Sequence, residues 1–212
     1  MKKYTHIIWD WNGTLLDDVG WCIACMNVML KRRGLPILES VDAYHNVFGF
    51  PVKDYYSRVG FDFDKESFET LAVEYIELYD SDGSSASLFP DAKEILAEFH
   101  CGGIRQTVLS ASELGNLLTQ IKPFGIDIFF DEILGISDIY ATGKIEIGKA
   151  YIERVKPEKA VLIGDTSHDK EAADALGIDC ILVANGHQGK NTLMAVNAVI
   201  ADCLLDIKDI LL

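Results

Sequence analysis

Apolar and polar positions follow two regimes along the chain. Residues 4–9 are apolar and β-prone and stop at Asp10, Asn12 and Gly13, which predicts a short strand running into a turn. From about 18 to 33 the period lengthens. Val19, Cys22, Ile23, Met26 and Leu30 recur at helical spacing, and Gly34 with Pro36 closes that helix. A second helical stretch is expected at about 40–48, before Pro51. A third starts with Asp64 as N-cap and carries Phe68, Leu71, Ala72, Tyr75, Ile76 and Tyr79 on one face. Residues 80–85 have the composition of a turn or linker. The span 17–87 therefore reads as all-helical.

Beyond it, strands and helices alternate. Pro90-Asp91 opens a helix that ends before Gly102-Gly103, and residues 104–109 form a strand ending at Ser110. Expected next are a helix at 112–121, a strand at 128–134 and a helix at 147–155. Then come a buried strand at 161–163, a helix at 167–176, a strand at 180–184, a short strand near 199–200 and a helix from about 204. Such alternation implies an α/β fold, a parallel sheet covered on both faces. The helical span interrupts it after the first strand. The expected organisation is a Rossmann-like parallel-sheet core made of residues 1–16 and 88–212, with a small all-helical cap domain of residues 17–87.

Composition narrows the function. The 212 residues are 49% hydrophobic and 25% charged, as in an ordinary globular protein. Asp and Glu number 33 against 19 Lys and Arg, a net charge of −14, which repels a phosphate backbone and an anionic membrane surface. Neither nucleic acid nor membrane is expected as a partner, and no apolar run reaches the length of a spanning helix. The first ten residues reach Asp10 before a signal-peptide apolar region forms, so the expected location is cytoplasmic. Five cysteines cannot all pair with one another. Cys22 and Cys25 form a Cys-x-x-Cys without the further ligands that a zinc site needs, so all five are expected to be buried, reduced and structural.

The chemistry collects where strands end. In open parallel sheets, ligands bind at the carboxyl ends of strands. Those ends carry Asp10 and Asn12, then Ser110, then Asp165 and Asp169. Singly, these could be turn residues or helix caps. Together they make two acidic loops facing one crevice, a natural site for a hard cation such as Mg²⁺. Lys144, just after Gly143, is placed to reach back over the strand ends; Lys149, inside the following helix, is the alternative. His168 is beside the acidic pair, and His187 is in a loop near it in the topology. His6, His45 and His100 are expected to be structural or solvent-facing.

The stretch Asp10-Trp11-Asn12-Gly13-Thr14-Leu15 resembles the first motif of the haloacid dehalogenase superfamily, Asp-x-Asp-Gly-Thr-Leu. Ser110 resembles its second motif, and Gly164-Asp165-Thr166-Ser167-His168-Asp169 its fourth. The position of the helical insertion and the stretch Leu88-Phe89-Pro90-Asp91 are similar to the phosphoglycolate-phosphatase-like branch. The resemblance implies a Mg²⁺-dependent phosphatase acting on a small phosphorylated metabolite, as a monomer or weak dimer. It implies Asp10 as the nucleophile that forms an aspartyl phosphate. Asp10, the Asn12 carbonyl, Asp165 and Asp169 would hold the metal, while Gly13, Ser110, Ala111 and Lys144 would hold the phosphate.

The departure is Asn12. Phosphatases of the superfamily carry a carboxylate there as general acid and base, and an amide can do neither job. Three accounts follow: a slow phosphatase, an enzyme that borrows acid/base help from His168, His187 or a cap residue, or a phosphate-binding protein with little catalysis. Phosphonate or haloacid hydrolysis is a further alternative. The phosphonate case requires a cap lysine, for which Lys31 and Lys53 are the candidates.

Overall fold

The computed structural model describes residues 4–81, 86–137 and 143–211. The chain starts with β1 (His6–Trp9) and β2 (Leu16–Asp17), followed by helices α1 (Val19–Arg32), α2 (Val41–His45), α3 (Val52–Arg58) and α4 (Phe68–Asp80). Next are β3 (Ser87–Leu88), α5 (Ala92–Cys101), β4 (Arg105–Glu113), α6 (Leu114–Ile121), β5 (Glu132–Ile136) and α7 (Lys144–Val155). The last elements are β6 (Ala160–Gly164), α8 (Ser167–Leu176), β7 (Asp179–Val183), α9 (Lys190–Leu193), β8 (Val199–Ala201) and α10 (Leu204–Leu211).

Six strands form one parallel sheet in the order β5-β4-β1-β6-β7-β8. Successive side chains of a strand point to opposite faces, and here both faces are buried. Ile7, Trp9, Val161, Ile163, Ile181 and Val183 enter one core with residues of α5, α6 and α10. Their neighbours Ile8, Leu162, Cys180 and Leu182 enter a second core with Tyr151 of α7 and Ala172, Ala173 and Leu176 of α8. This is why the strands read as unbroken apolar runs. Buried polar groups in the sheet are matched: the Trp9 indole donates to Gln106 Oε1 at 3.0 Å, and Gln106 Nε2 donates to the Leu96 carbonyl.

Register sets the site. Trp9 pairs with Val108 of β4 on one side and Ile163 of β6 on the other. Strands β1 and β6 therefore end nearly level, beside the part of β4 that precedes its bulge, and Asp10, Ser110 and Asp165 come to one edge of the site. Helices α1–α4 bury a third cluster, which includes Met26, Leu30, Tyr44, Tyr55, Tyr56 and Leu71. The antiparallel pair β2–β3, with Leu16 opposite Leu88, joins the start and end of that helical span.

Several local expectations shift. The helix expected at 40–48 is only Val41–His45, with Ser40 capping through the Ala43 amide. Pro51 precedes another helix, α3, too short for its period to register. The N-cap of α4 is Ser67, which accepts from Thr70, and not Asp64, whose amide instead donates to Asp62. The strand expected at 128–134 is offset. Asp127–Phe129 is a 3₁₀ turn that leaves Ile128 exposed, and pairing with β4 begins at Glu132. Helix α7 starts three residues before the expected 147. Strand β4 runs past Ser110 to Glu113 through a bulge, because Leu109 pairs with Leu134 but Glu113 with Ile136. Of the expected linker 80–85, residues 82–85 lie outside the described residues. Among the described residues all five cysteines are free, but Cys101 is exposed and Cys203 only half-buried. No described helix is long and apolar enough to cross a membrane.

Candidate active site

The turn after β1 is tight. The amides of Thr14, Leu15 and Leu16 all point to the Trp11 carbonyl, and Gly13 has φ of 72°, a conformation that favours glycine. A side chain at Gly13 would run into Asp165 and His187, so this glycine also permits the close approach of the two acidic loops. Asp10 is held at the strand end by its own amide, which donates to the Ile163 carbonyl at 2.8 Å.

Asp10, Asp165 and Asp169 each offer a carboxylate oxygen, all within 4.8 Å of one another and all buried. Lys144, 3% exposed, opens α7 and reaches back over the strand ends. Its ammonium lies 2.5 Å from Asp10 Oδ1 and 2.6 Å from Asp169 Oδ1. Lys149 is on the outer face of the same helix beside Glu146, so the geometry favours Lys144. The second oxygen of Asp169 accepts from the amides of Asp165 and Thr166 and from the Thr166 hydroxyl at 2.7 Å. It thus ties the start of α8 to the loop that carries Asp165. Asp165 accepts the His187 amide at 2.5 Å and the Thr14 hydroxyl at 3.3 Å.

One ammonium faces three buried carboxylates. Burial pushes both Asp10 and Asp165 above the usual carboxylate range, and for Asp165 the nearby Asp10 and Asp169 charges add to it. Burial acts to lower the Lys144 pKa, but Asp10 and Asp169 hold it above its ordinary value. Asp169 behaves differently: burial would raise it, yet Lys144 and Thr166 keep it low. The cluster is two positive charges short of neutrality when fully ionised, and its donors are all oxygen. A divalent hard cation such as Mg²⁺ fits both conditions.

A second layer surrounds Asn12. Its Nδ2 donates to Asp18 Oδ2 at 2.8 Å and to the Tyr79 hydroxyl at 3.0 Å, and its Oδ1 accepts from Ser112 Oγ at 2.9 Å. Asp18, 1% exposed, also accepts from Tyr79 at 2.7 Å and from the Gly13 amide at 3.0 Å, and pairs with His187 Nε2 at 3.2 Å. His187 Nδ1 meets the Tyr44 hydroxyl at 2.8 Å. Burial alone would lower the His187 pKa; Asp18 overrides it and raises it to about 9, which makes the pair an imidazolium–carboxylate. Asp18 is lowered because His187, Asn12 and Tyr79 outweigh burial. The Gly13 amide, expected at the phosphate, is taken by Asp18 and the Leu16 carbonyl.

Ser110 is buried, and its Oγ accepts the Ser112 amide at 3.0 Å; Ala111 is half-buried in the same bulge. Both line a cavity of about 230 Å³ together with Asp10, Asn12, Lys144, Asp165 and Asp169. His168 also lines it, stacked on Phe50 with ring centroids 4.5 Å apart. Burial and then Lys144 lower its pKa, which favours the neutral ring. The sequence alone does not mark Asp18, Tyr79, Tyr44 or Ser112 as site residues. Asp18 carried one signal, a carboxylate at the start of a helix eight residues after Asp10.

The chain belongs to the haloacid dehalogenase-like hydrolases: residues 7–183 match that family. It is 26% identical to a phosphoglycolate phosphatase of Nitrosococcus oceani over 233 residues, covering all of this chain and 98% of the relative. It is 29% identical to the tyrosine-protein kinase PtkA of Mycobacterium tuberculosis over 185 residues, but there it spans only 62% of the relative's length and 85% of its own. The solved structure of PtkA superposes with a TM-score of 0.83 at 26% identity, over 98% of both chains. A haloacid dehalogenase-like family hydrolase of Streptococcus pneumoniae gives 0.82 at 23% identity, again over 98% of both, which shows the shared fold.

Proposed function

We propose that the protein is a Mg²⁺-dependent phosphatase of small organic phosphate monoesters, working through an aspartyl phosphate on Asp10. The observation that carries this reading is the buried trio Asp10, Asp165 and Asp169 around Lys144, two charges short of balance. Asp10, the Asn12 carbonyl and Asp165 would hold the metal, with Asp169 supporting it through its ties to Lys144 and the Asp165 loop. When bound, Mg²⁺ supplies positive charge that offsets repulsion between a carboxylate and a phosphate dianion. Lys144 orients the Asp10 carboxylate and adds charge on the same side. Ser110 and the backbone at Ala111 would receive phosphate oxygens at the bulge of β4.

The proposed division has residues 1–16 and 88–212 as the catalytic core and 17–87 as the cap. Asn12 and Tyr79, hydrogen-bonded through Asp18, link the two. The crossing near 15–18 would act as a hinge that lets the cap exclude water; the other expected crossing, at 80–85, falls mostly outside the described residues.

Asn12 favours a second reading, a phosphate-binding protein with weak turnover, because its amide is fully engaged and carries no titrating proton. The phosphonate-hydrolase alternative loses support: Lys31 and Lys53 are exposed and neither lines the cavity. Hydrolysis of p-nitrophenyl phosphate with and without Mg²⁺ tests the choice. The phosphatase reading expects Mg²⁺-dependent turnover that disappears in Asp10→Asn. Mg²⁺-dependent phosphate binding without turnover supports the binding protein. The kinase name of PtkA makes transfer to an acceptor other than water worth an arm of the same assay, with ATP as donor.

A further inference from the structure

The cavity above Asp10 is lopsided. Its floor is charged, but the walls supplied by the helical span are apolar and aromatic: Phe48 and Phe50 from the α2–α3 connection, Val52 of α3, and Tyr75 and Ile76 of α4. Phe50 is fixed between the His168 ring and an edge-on contact with Phe48 at 5.8 Å. At about 230 Å³ the space exceeds the roughly 150 Å³ in which an apolar protein cavity takes up benzene. Lys144 is the only lysine or arginine among the described residues that line it, and Asp10 and Asp169 already hold it. The polar lining carries the acidic Asp80 and Glu113, close enough that Glu113 adds to the upward push that burial gives the Asp80 pKa, beside the uncharged Asn116 and Gln120; the other cation that lines it, the His187 imidazolium, is held by Asp18.

Resting on the phosphatase reading above, we infer that the substrate class is an aryl phosphate monoester, a flat aromatic ring bonded directly to the phosphate oxygen. Two independent observations converge on it. The walls receive an uncharged ring and offer a small carboxylate, such as that of glycolate, no free cation. Separately, Asn12 supplies no proton to a leaving group. A phenolate leaves without one, because its conjugate acid has a pKa of about 10 whereas an alkoxide is about as basic as hydroxide, whose conjugate acid lies near 15.7. In the first step an Asp10 oxygen bonds to phosphorus as the P–O(aryl) bond breaks. The bonding pair departs on the phenolate, which takes its proton from solvent. Water then cleaves the aspartyl phosphate, releasing inorganic phosphate and restoring the Asp10 carboxylate.

Four Mg²⁺-supplemented substrates separate the contributions: acetyl phosphate, phenyl phosphate, benzyl phosphate and phosphoglycolate. Acetyl phosphate has a good leaving group and no ring, so its hydrolysis reports phosphoryl transfer alone. Phenyl phosphate should exceed phosphoglycolate in kcat/KM by at least about 100-fold. Benzyl phosphate, with a ring but an alkoxide leaving group, should show a KM at least about tenfold below that of phosphoglycolate and a kcat well below that of phenyl phosphate. Ile76→Arg, which puts a cation in the apolar wall, should lower the phenyl-to-phosphoglycolate ratio at least about tenfold. That ratio does not depend on how much of the variant folds. Acetyl phosphate turnover with phosphoglycolate equal to or better than phenyl phosphate would overturn the inference while the phosphatase reading stands. No turnover of any of the four would overturn both.

Discussion

The side-chain amide of Asn12 donates to the carboxylate of Asp18 at 2.8 Å, across the junction between the first motif and helix α1. The amide that removes an acid/base from the site is thus also what lets a buried carboxylate stand beside it. Asn12→Asp would bring two carboxylates into that contact, and like charges so close hold one proton between them. A proton-carrying acid at neutral pH is what alkyl leaving groups need. Turnover of alkyl phosphates should rise roughly tenfold or more in Asn12→Asp, with little gain on phenyl phosphate. The pH–rate profile should gain an acidic group absent from the wild type. An unchanged rate on every ester would show that another residue already supplies the proton; His168→Ala, made in the wild-type chain, would then lower it further.

Lys144 pairs with both Asp10 and Asp169 while almost wholly buried. Replacement by Met strands both carboxylates, a loss of about 3–5 kcal/mol in metal-free buffer. Chemical denaturation in EDTA measures it. Lys149→Met, on the exposed face of α7, should stay within about 0.5 kcal/mol of the wild type.

Metal and protons compete for the same oxygens. Asp10 and Asp165 are held above the usual carboxylate pKa of 3.8, so the metal-free folded chain retains protons that the unfolded chain has released. Their contribution to stability is therefore fully present below 3.8 and declines as pH rises through their elevated values. His187 acts in the same sense, with a contribution present below its ordinary 6.5 and lost as pH rises through about 9. Bound Mg²⁺ relieves only the aspartates. The rise in Tm on adding Mg²⁺ should grow between about pH 5 and about pH 8, and the growth should vanish in Asp165→Asn. Calorimetry on the same variant should show sharply weaker Mg²⁺ binding.

Tyr79, on the last turn of α4, donates to Asp18 from 61 residues away. Tyr79→Phe removes a hydrogen bond to a buried charge and should cost about 1.5–3 kcal/mol in urea denaturation. It should also loosen the helical span against the sheet, seen as faster amide exchange in α4 than in β1.

Much of this architecture was legible because it is written locally. The strands are short apolar runs that end in polar residues, and α8 occupies the expected 167–176, set by Thr166 before it and Gly177 after it. Asp10, Ser110 and Asp165 were identifiable because a buried parallel strand has no need of such groups at its end. What was hidden depends on distant partners or short elements. Helix α3 and the β2–β3 pair are too brief to show a period. Asp18 reads only as the start of a helical stretch, because its partners, His187 and Tyr79, are 169 and 61 positions away. The aromatic wall read as helical core, since Tyr75 and Ile76 have the spacing of a packed face whether or not a cavity adjoins them.

The account stands on Asp10 as the atom that receives phosphorus. Without a general base at position 12, the aspartyl phosphate should outlast its formation. Intact-mass spectrometry after acid quench, with acetyl phosphate and Mg²⁺, reads this directly. The account predicts one added phosphoryl group in the wild type, none in EDTA, and none in Asp10→Asn. A phosphoryl group that still appears in Asp10→Asn, or turnover in the wild type that survives EDTA, would contradict it.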